Sequence, residues 1–374
     1  MKDPYIPATF YDAALGSNVS VDGDSEADEF TVGGKRLRQL EPATIEGLRQ
    51  LQEEADTVRA PSREPHALAG TANLGDRIFH WVTAGFAGLI IAVLLLIVVE
   101  LTWQSRLSIA RFGLSFITSS TWNTITNNFG GAPSILGTVY SSLLALLLAA
   151  PIALMVAIFL VELAPRWMRF PLGFFVELLA AVPSIVFGLW ALLVLKPDLI
   201  APHIEPWFID HFGNVPMLSG LFTGYPIGLD IFTASIILSI MILPTIASIS
   251  RDVMLAVPNN FRDAMLALGA TRWETTWKIV VPYARSGIIG GIILGLGRAV
   301  GETMAVQMVI GNHQAIGPSL LRPGTTLAAT IVSEFQDATS DMHRSALIEL
   351  ALILMLVAIV LNAVARLLVW RVAR

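Results

Sequence analysis

An all-α, polytopic membrane protein with six transmembrane helices is predicted by three observations. Of the 374 residues, 54% are hydrophobic and only 14% charged, with a mean hydropathy of +0.67, which lies outside the range of an ordinary soluble domain. Six apolar runs approach the roughly 20 residues that cross a bilayer as helix. Between the fourth and fifth runs lies a polar helical segment, and it feeds directly into a glycine-rich apolar helix that carries Arg298 and Glu302.

Residues 1–75 read as one domain, an acidic extension. They hold 13 acidic and 7 basic side chains, and the remainder of the chain 16 and 17, so the net charge of −5 belongs to this part. The start shows no basic region leading into an apolar core, hence no cleaved signal is expected. The stretch around Asp22, Asp24, Glu26, Asp28 and Glu29 reads as disordered, and the extension as largely so. Within it, Ile45, Leu48 and Leu51 share one face of a short polar helix predicted over residues 42–58.

Residues 76–374 form the transmembrane domain. The first span is predicted over Trp81 to Val99, bracketed by Trp81 and Trp103 at positions suited to the two interfaces. The second runs from about Gly137 to Val161 and tolerates Pro151, as buried membrane helices do. The third, about Leu172 to Leu195, contains Glu177, Pro183 and Ser184. A loop over about 196–227 and a fourth span over about Gly228 to Ser248 follow. The fifth is predicted over about Ser286 to Ile310, and the sixth over about Ala346 to Leu368.

Six spans put both termini on one side of the membrane. On the connectors of that side Lys and Arg number ten, against five on the other, so the termini and the polar segment are predicted to face the cytoplasm. Cysteine is absent, which excludes disulfides, thiolate metal sites and cysteine nucleophiles. No GxxxxGK[ST] motif occurs, so the chain is not expected to hydrolyse ATP. Neither HExxH nor GxSxG is present, and no catalytic residue, metal site, bound cofactor or nucleic-acid partner is predicted.

The polar segment, about residues 251–283, reads RDVMLAVPNNFRDAMLALGATRWETTWKIVVP. Met265, Leu266, Leu268 and Trp273 lie among Arg262, Asp263, Arg272 and Glu274, which predicts a short amphipathic helix pair broken at Gly269. Two readings are open on periodicity alone: a re-entry loop lying on the bilayer surface, or an apolar face offered to a soluble partner. Asp263, Ala264 and Met265, then Gly269, then Ile279, Val281 and Pro282 stand at a spacing that resembles the EAA loop of the permease subunits of ATP-binding-cassette importers. The departures are Asp for Glu, Met for Ala and Val for Leu. The resemblance implies that Asp263, Ala264, Met265 and Gly269 couple the chain to an ATPase.

In GIIGGIILGLGRAVGETMAV, residues 287–306, Arg298 stands near mid-membrane, where a charge costs roughly 3 kcal/mol or more. Glu302 follows at i+4, one helical turn away on the same face, so the two are expected to pair and offset part of that cost. Such a pair is either a neutralised structural link or an oxyanion site, with Arg298 supplying forked donors and Glu302 holding the guanidinium or accepting a proton from the substrate. Thr303 adds a donor that could equally bond its own helix. The glycines are suited to close approach of another helix, as at a seam between two permease subunits.

The runs GLGRAVGETMAV and ELLAAVPSIVFG, with the coupling loop, resemble the PstC-type permeases of bacterial phosphate-specific importers over about residues 76–374. The resemblance implies the type I ABC importer permease fold in the bacterial cell (inner) membrane. It implies inorganic phosphate as substrate, with Arg298, Glu302 and Thr303 on the substrate path. Glu177 and Ser184 are weaker candidates, for the path or for helix pairing. The implied partners are a second homologous permease, two ATPase subunits carrying ATP and Mg, and an extracytoplasmic phosphate-binding protein. Another oxyanion, sulfate or molybdate, and an added role in signalling phosphate status to a sensor kinase are the competing readings.

Overall fold

The computed structural model describes residues 10–12, 17–20, 31–32, 35–36, 74–216 and 218–372. By compactness the chain divides into Met1–Ala87 and Gly88–Arg374, a boundary that falls inside the first long helix, α1, Leu74–Gln104. In the first unit four short strands, β1 Phe10–Asp12, β2 Ser17–Ser20, β3 Thr31–Val32 and β4 Lys35–Arg36, pair antiparallel in sequence order. Phe10 faces Val19, and Val19 faces Val32, so β-branched and aromatic residues sit at the paired positions. The acidic stretch Asp22–Glu29 and the helix expected over residues 42–58 lie outside the described residues.

Beyond α1 the order is α2 Arg106–Phe112, α3 Ser115–Thr118, α4 Ala132–Ile158 with a wider π-type turn to Leu163, and α5 Arg166–Ala181. Then come α6 Ser184–Trp190, which continues through π-type turns over Ala191–Ile204, and α7 Glu205–Phe212. The helix α8 spans Ile231–Leu255, α9 Asn259–Ala267, α10 Arg272–Thr275 and α11 Val281–Gly301. Last are α12 Met304–Val309, α13 Leu327–Glu334 and α14 Asp341–Val372. The described residues contain six helices long and apolar enough to cross a membrane. The transmembrane region is all-α, as its long apolar runs favour: in lipid a helix satisfies its backbone groups within itself.

Two spans begin elsewhere than the apolar runs suggest. The third runs over Ser184–Phe212 rather than Leu172 to Leu195. Val182 and Pro183 adopt extended backbone, ψ 130° and 137°, so the apolar run is cut and α5 becomes a separate helix. Pro197 and Pro202, which looked like the start of a loop, sit inside the span because π-type turns absorb their missing N–H groups. The fifth span is continuous from Arg272 and ends at Gly301, where Glu302 turns extended. The second helix of the expected amphipathic pair is therefore the start of a membrane span.

The core of the second unit is built on α8, the most enclosed span, capped where Asp230 Oδ1 accepts from Thr233 N at 2.7 Å. Ala145, Ala149 and Ala153 form an i, i+4 stripe on α4 that is fully buried, and Ile237, Leu238, Met241 and Ile242 of α8 belong to the same core. Small residues allow close backbone approach, which in a bilayer replaces hydrophobic burial as the source of helix association. On the other flank Gly287, Gly291 and Gly295 of α11 face Val253, Ile249 and Ile246 of α8. A Cβ at Gly291 would lie 3.1 Å from Ile249, and one at Gly295 2.7 Å from Ile246. The glycine stripe expected at a seam between subunits thus seats a helix of the same chain, whereas Gly290 and Gly301 face open space.

Candidate functional site

The run from Arg298 to Thr303 is a helix break rather than a continuous turn. Arg298 lies in the last turn of α11, Glu302 is extended with ψ 131°, and α12 starts at Met304. A cation in the last turn and an anion just ahead of the next helix both complement the helix dipoles, so each charge is stabilised without the other. The expected i, i+4 pair does not form among the described residues. Instead Arg298 Nη1 donates to Thr245 Oγ1 of α8 at 2.9 Å, and Glu302 Oε1 accepts from Ala305 N at 3.4 Å. Thr303 Oγ1 bonds back to Gly301 O at 3.2 Å, satisfying a carbonyl freed by the break.

Arg298 and Thr245 line a cavity of about 1060 Å³ together with Gly297 on α11 and Asn362 and Arg366 on α14. Most of the rest of the wall is apolar, including Leu94, Val98 and Met355. Thr245, Asn362 and Arg366 were not singled out from the sequence. Their signal was present as isolated polar residues in LPTIAS and VLNAVARLL, runs that are otherwise apolar.

Ser184 opens α6, and α6 packs against α12: a Cβ at Gly188 would lie 2.9 Å from Ala305 Cα. Ser184 is thereby carried on the helix next to the break, half-buried. Glu177 belongs elsewhere. On the separate α5, its Oε1 accepts from Arg251 Nη2 of α8 at 2.8 Å, a pairing within the chain, and Arg251 also bonds Asp252 at 3.0 Å.

The EAA-like residues occupy α9. The helix closes with Gly269 N donating to Leu266 O at 3.0 Å and Ala270 N to Met265 O at 3.1 Å, the paired bonds of a glycine C-cap, with Gly269 at φ +84°. The next helix starts with a capping box: Thr271 Oγ1 accepts from Glu274 N at 3.2 Å and Glu274 Oε2 from Thr271 N at 3.0 Å. Gly269 thus closes α9 at its carboxyl end, and the box at Thr271 opens α10. Asp263, Ala264 and Gly269 are exposed and Met265 half-buried, while Phe261, Leu266 and Leu268 also face outward.

The chain matches the family described as "Binding-protein-dependent transport system inner membrane component" over residues 149–374. It is 45% identical over 299 residues to the phosphate transport system permease protein PstC of Xylella fastidiosa, which covers 80% of this chain and 92% of that protein. To the protein of the same description from Pasteurella multocida it is 44% identical, over 80% of this chain and 93% of the other. In fold it is similar to a chain of a bacterial alginate ABC transporter solved with an alginate pentasaccharide-bound periplasmic protein. That match has a TM-score of 0.55 and 15% identity, and it covers 80% of this chain and 98% of the other.

Proposed function

The chain belongs to the PstC permeases among the binding-protein-dependent transport components and is a membrane subunit of a phosphate importer; from that premise we propose that phosphate passes along the cavity fronted by Arg298. The observation that carries this reading is the partner of Arg298. Among the described residues its guanidinium has no ion pair, only a neutral hydroxyl, so its charge and its remaining N–H donors are left for an anion. An arginine held this way offers forked donors to phosphate oxygens and supplies the opposite charge in a low-dielectric wall. Glu302, on the far side of the break, accepts a hydrogen bond from the proton that phosphate retains at neutral pH and sulfate lacks. Thr303 and Ser184 flank the break as weaker contributors, and Glu177 serves helix pairing.

The working complex in this reading has a second homologous permease, two ATPase subunits that bind ATP and Mg, and an extracytoplasmic phosphate-binding protein. The excess of Lys and Arg on one set of connectors supports a cytoplasmic position for both termini and α9. There the outward face of α9, with Asp263 and Ala264, seats an ATPase, and Gly269 fixes where that face ends. Residues 1–75 are a cytoplasmic extension outside the membrane domain.

Uptake of radiolabelled phosphate tests the reading. With assembly unchanged, Arg298→Ala abolishes uptake and Arg298→Lys, which keeps charge but loses the fork, retains a small part of it. Full uptake by Arg298→Ala would remove Arg298 from the path.

A further inference from the structure

Arg262 immediately precedes Asp263 on α9, yet its side chain turns away from the exposed face and is only 13% exposed. Its Nε donates to Glu162 Oε1 at 3.1 Å, on the π-type turn that ends α4. Its Nη2 donates to Met254 O at 2.7 Å, and its Nη1 to Val257 O and to Asn259 Oδ1. Met254 and Val257 lie at the carboxyl end of α8, where carbonyls lack helical partners and the dipole favours a cation. One planar guanidinium therefore fastens α9 to the ends of α4 and α8 together. Lysine, with donors on a single nitrogen, could not reach the three directions at once.

Both tied helices lead into the membrane core. The helix α8 carries Thr245, the partner of Arg298, and α4 packs along α8 through its alanine stripe. Glu162 is itself only 14% exposed, so the pair works in a partly water-excluded setting where charged hydrogen bonds are directional and stiff. We infer that Arg262 and Glu162 form the transmission link of this permease: a push on the exposed face of α9 is delivered through this pair to α4 and α8 as one movement. Both are positioning residues, acting on the phosphate path through α4 and α8. The inference rests on the ATPase seat proposed above for α9.

The test compares phosphate transported with ATP hydrolysed by the complete transporter, reconstituted in proteoliposomes with its ATPase and phosphate-loaded binding protein. Glu162→Ala cuts the α4 arm and leaves α9 fastened to α8. Loss of one charge-assisted bond is equivalent to roughly a tenfold shift, so ATP consumed per phosphate should rise by about that factor. Glu162→Gln retains an oxygen that accepts from Nε and should return the ratio close to wild type. A ratio unchanged in Glu162→Ala, whether both rates are kept or both fall together, overturns the inference. So does an Ala variant that fails to assemble where Gln assembles, since the pair is then only a fold pin. If the wild-type complex shows no phosphate-dependent hydrolysis, it is the parent reading that fails.

Discussion

Arg298 Nη1 lies 2.9 Å from Thr245 Oγ1, so this guanidinium, in the last turn of its helix, is anchored by a hydroxyl on a neighbouring helix and not by the carboxylate four residues along its own chain. Thr245 fixes where the donors point while leaving the positive charge uncompensated. A hydrogen bond to a charged group contributes about 1.5–3 kcal/mol, enough to hold one rotamer of a long side chain. Thr245→Val, which keeps shape and removes the hydroxyl, should lower phosphate uptake several-fold, whereas Thr245→Ser should retain it. Equal uptake by the Val and Ser variants would show that the anchor is irrelevant.

The second prediction concerns the seat between α11 and α8. At Gly295 an added Cβ falls 2.7 Å from Ile246 Cγ1, with both residues buried. Overpacking of this kind costs about 1–3 kcal/mol. Gly295→Val should therefore lower the thermal stability of the purified complex, and Ile246→Ala in the same chain should restore part of it by opening the space the new side chain needs. Additive losses in the double variant would mean that the two positions do not meet.

How far the sequence carries can be judged from these same residues. The apolar runs around Trp81–Val99 and Gly137–Val161 are helices, and Gly269 ends α9 as its spacing suggests, because burial in lipid and a left-handed C-cap are local consequences of residue type. The third span was misplaced because hydropathy does not register that Val182 and Pro183 leave the helix while Pro197 and Pro202 stay in it. Likewise Arg298 and Glu302 satisfy an i, i+4 rule that presumes an unbroken helix. The break after Gly301 is decided by caps and by packing of α12 on α6, and Thr245 can be assigned to Arg298 only once α8 and α11 are in contact.

A third prediction follows from the acid that caps α8. Asp230 is 1% exposed, its Oδ1 accepts from Thr233 N, and its carboxyl interacts with that of Glu205; burial pushes it above the usual range. Glu205 is itself buried, its Oε2 accepting from Gly228 N at 3.1 Å. The sign is fixed by which state holds the proton. A folded-state value above the unfolded one means stability is fully present below the unfolded value and is lost as pH rises through the folded one. Asp230→Asn keeps an acceptor for Thr233 N and removes one of the two interacting buried acids, the other being Glu205. Its melting temperature should fall less steeply with rising pH than that of the wild-type complex. Parallel slopes would place the titration elsewhere.

The last prediction tests the orientation on which the ATPase seat depends. The chain contains no cysteine, so single cysteines report without background. Leu268, beside the cap of α9, is 84% exposed, and Tyr225, between α7 and α8, is 83% exposed; in the proposed topology they lie on opposite sides of the membrane. A membrane-impermeant maleimide applied to intact spheroplasts should label Tyr225→Cys and leave Leu268→Cys untouched until the membrane is opened. Labelling of Leu268→Cys alone in intact spheroplasts would invert the topology. The face of α9 would then meet the binding protein's compartment, where no ATPase waits, and the Arg262–Glu162 link would have nothing to transmit.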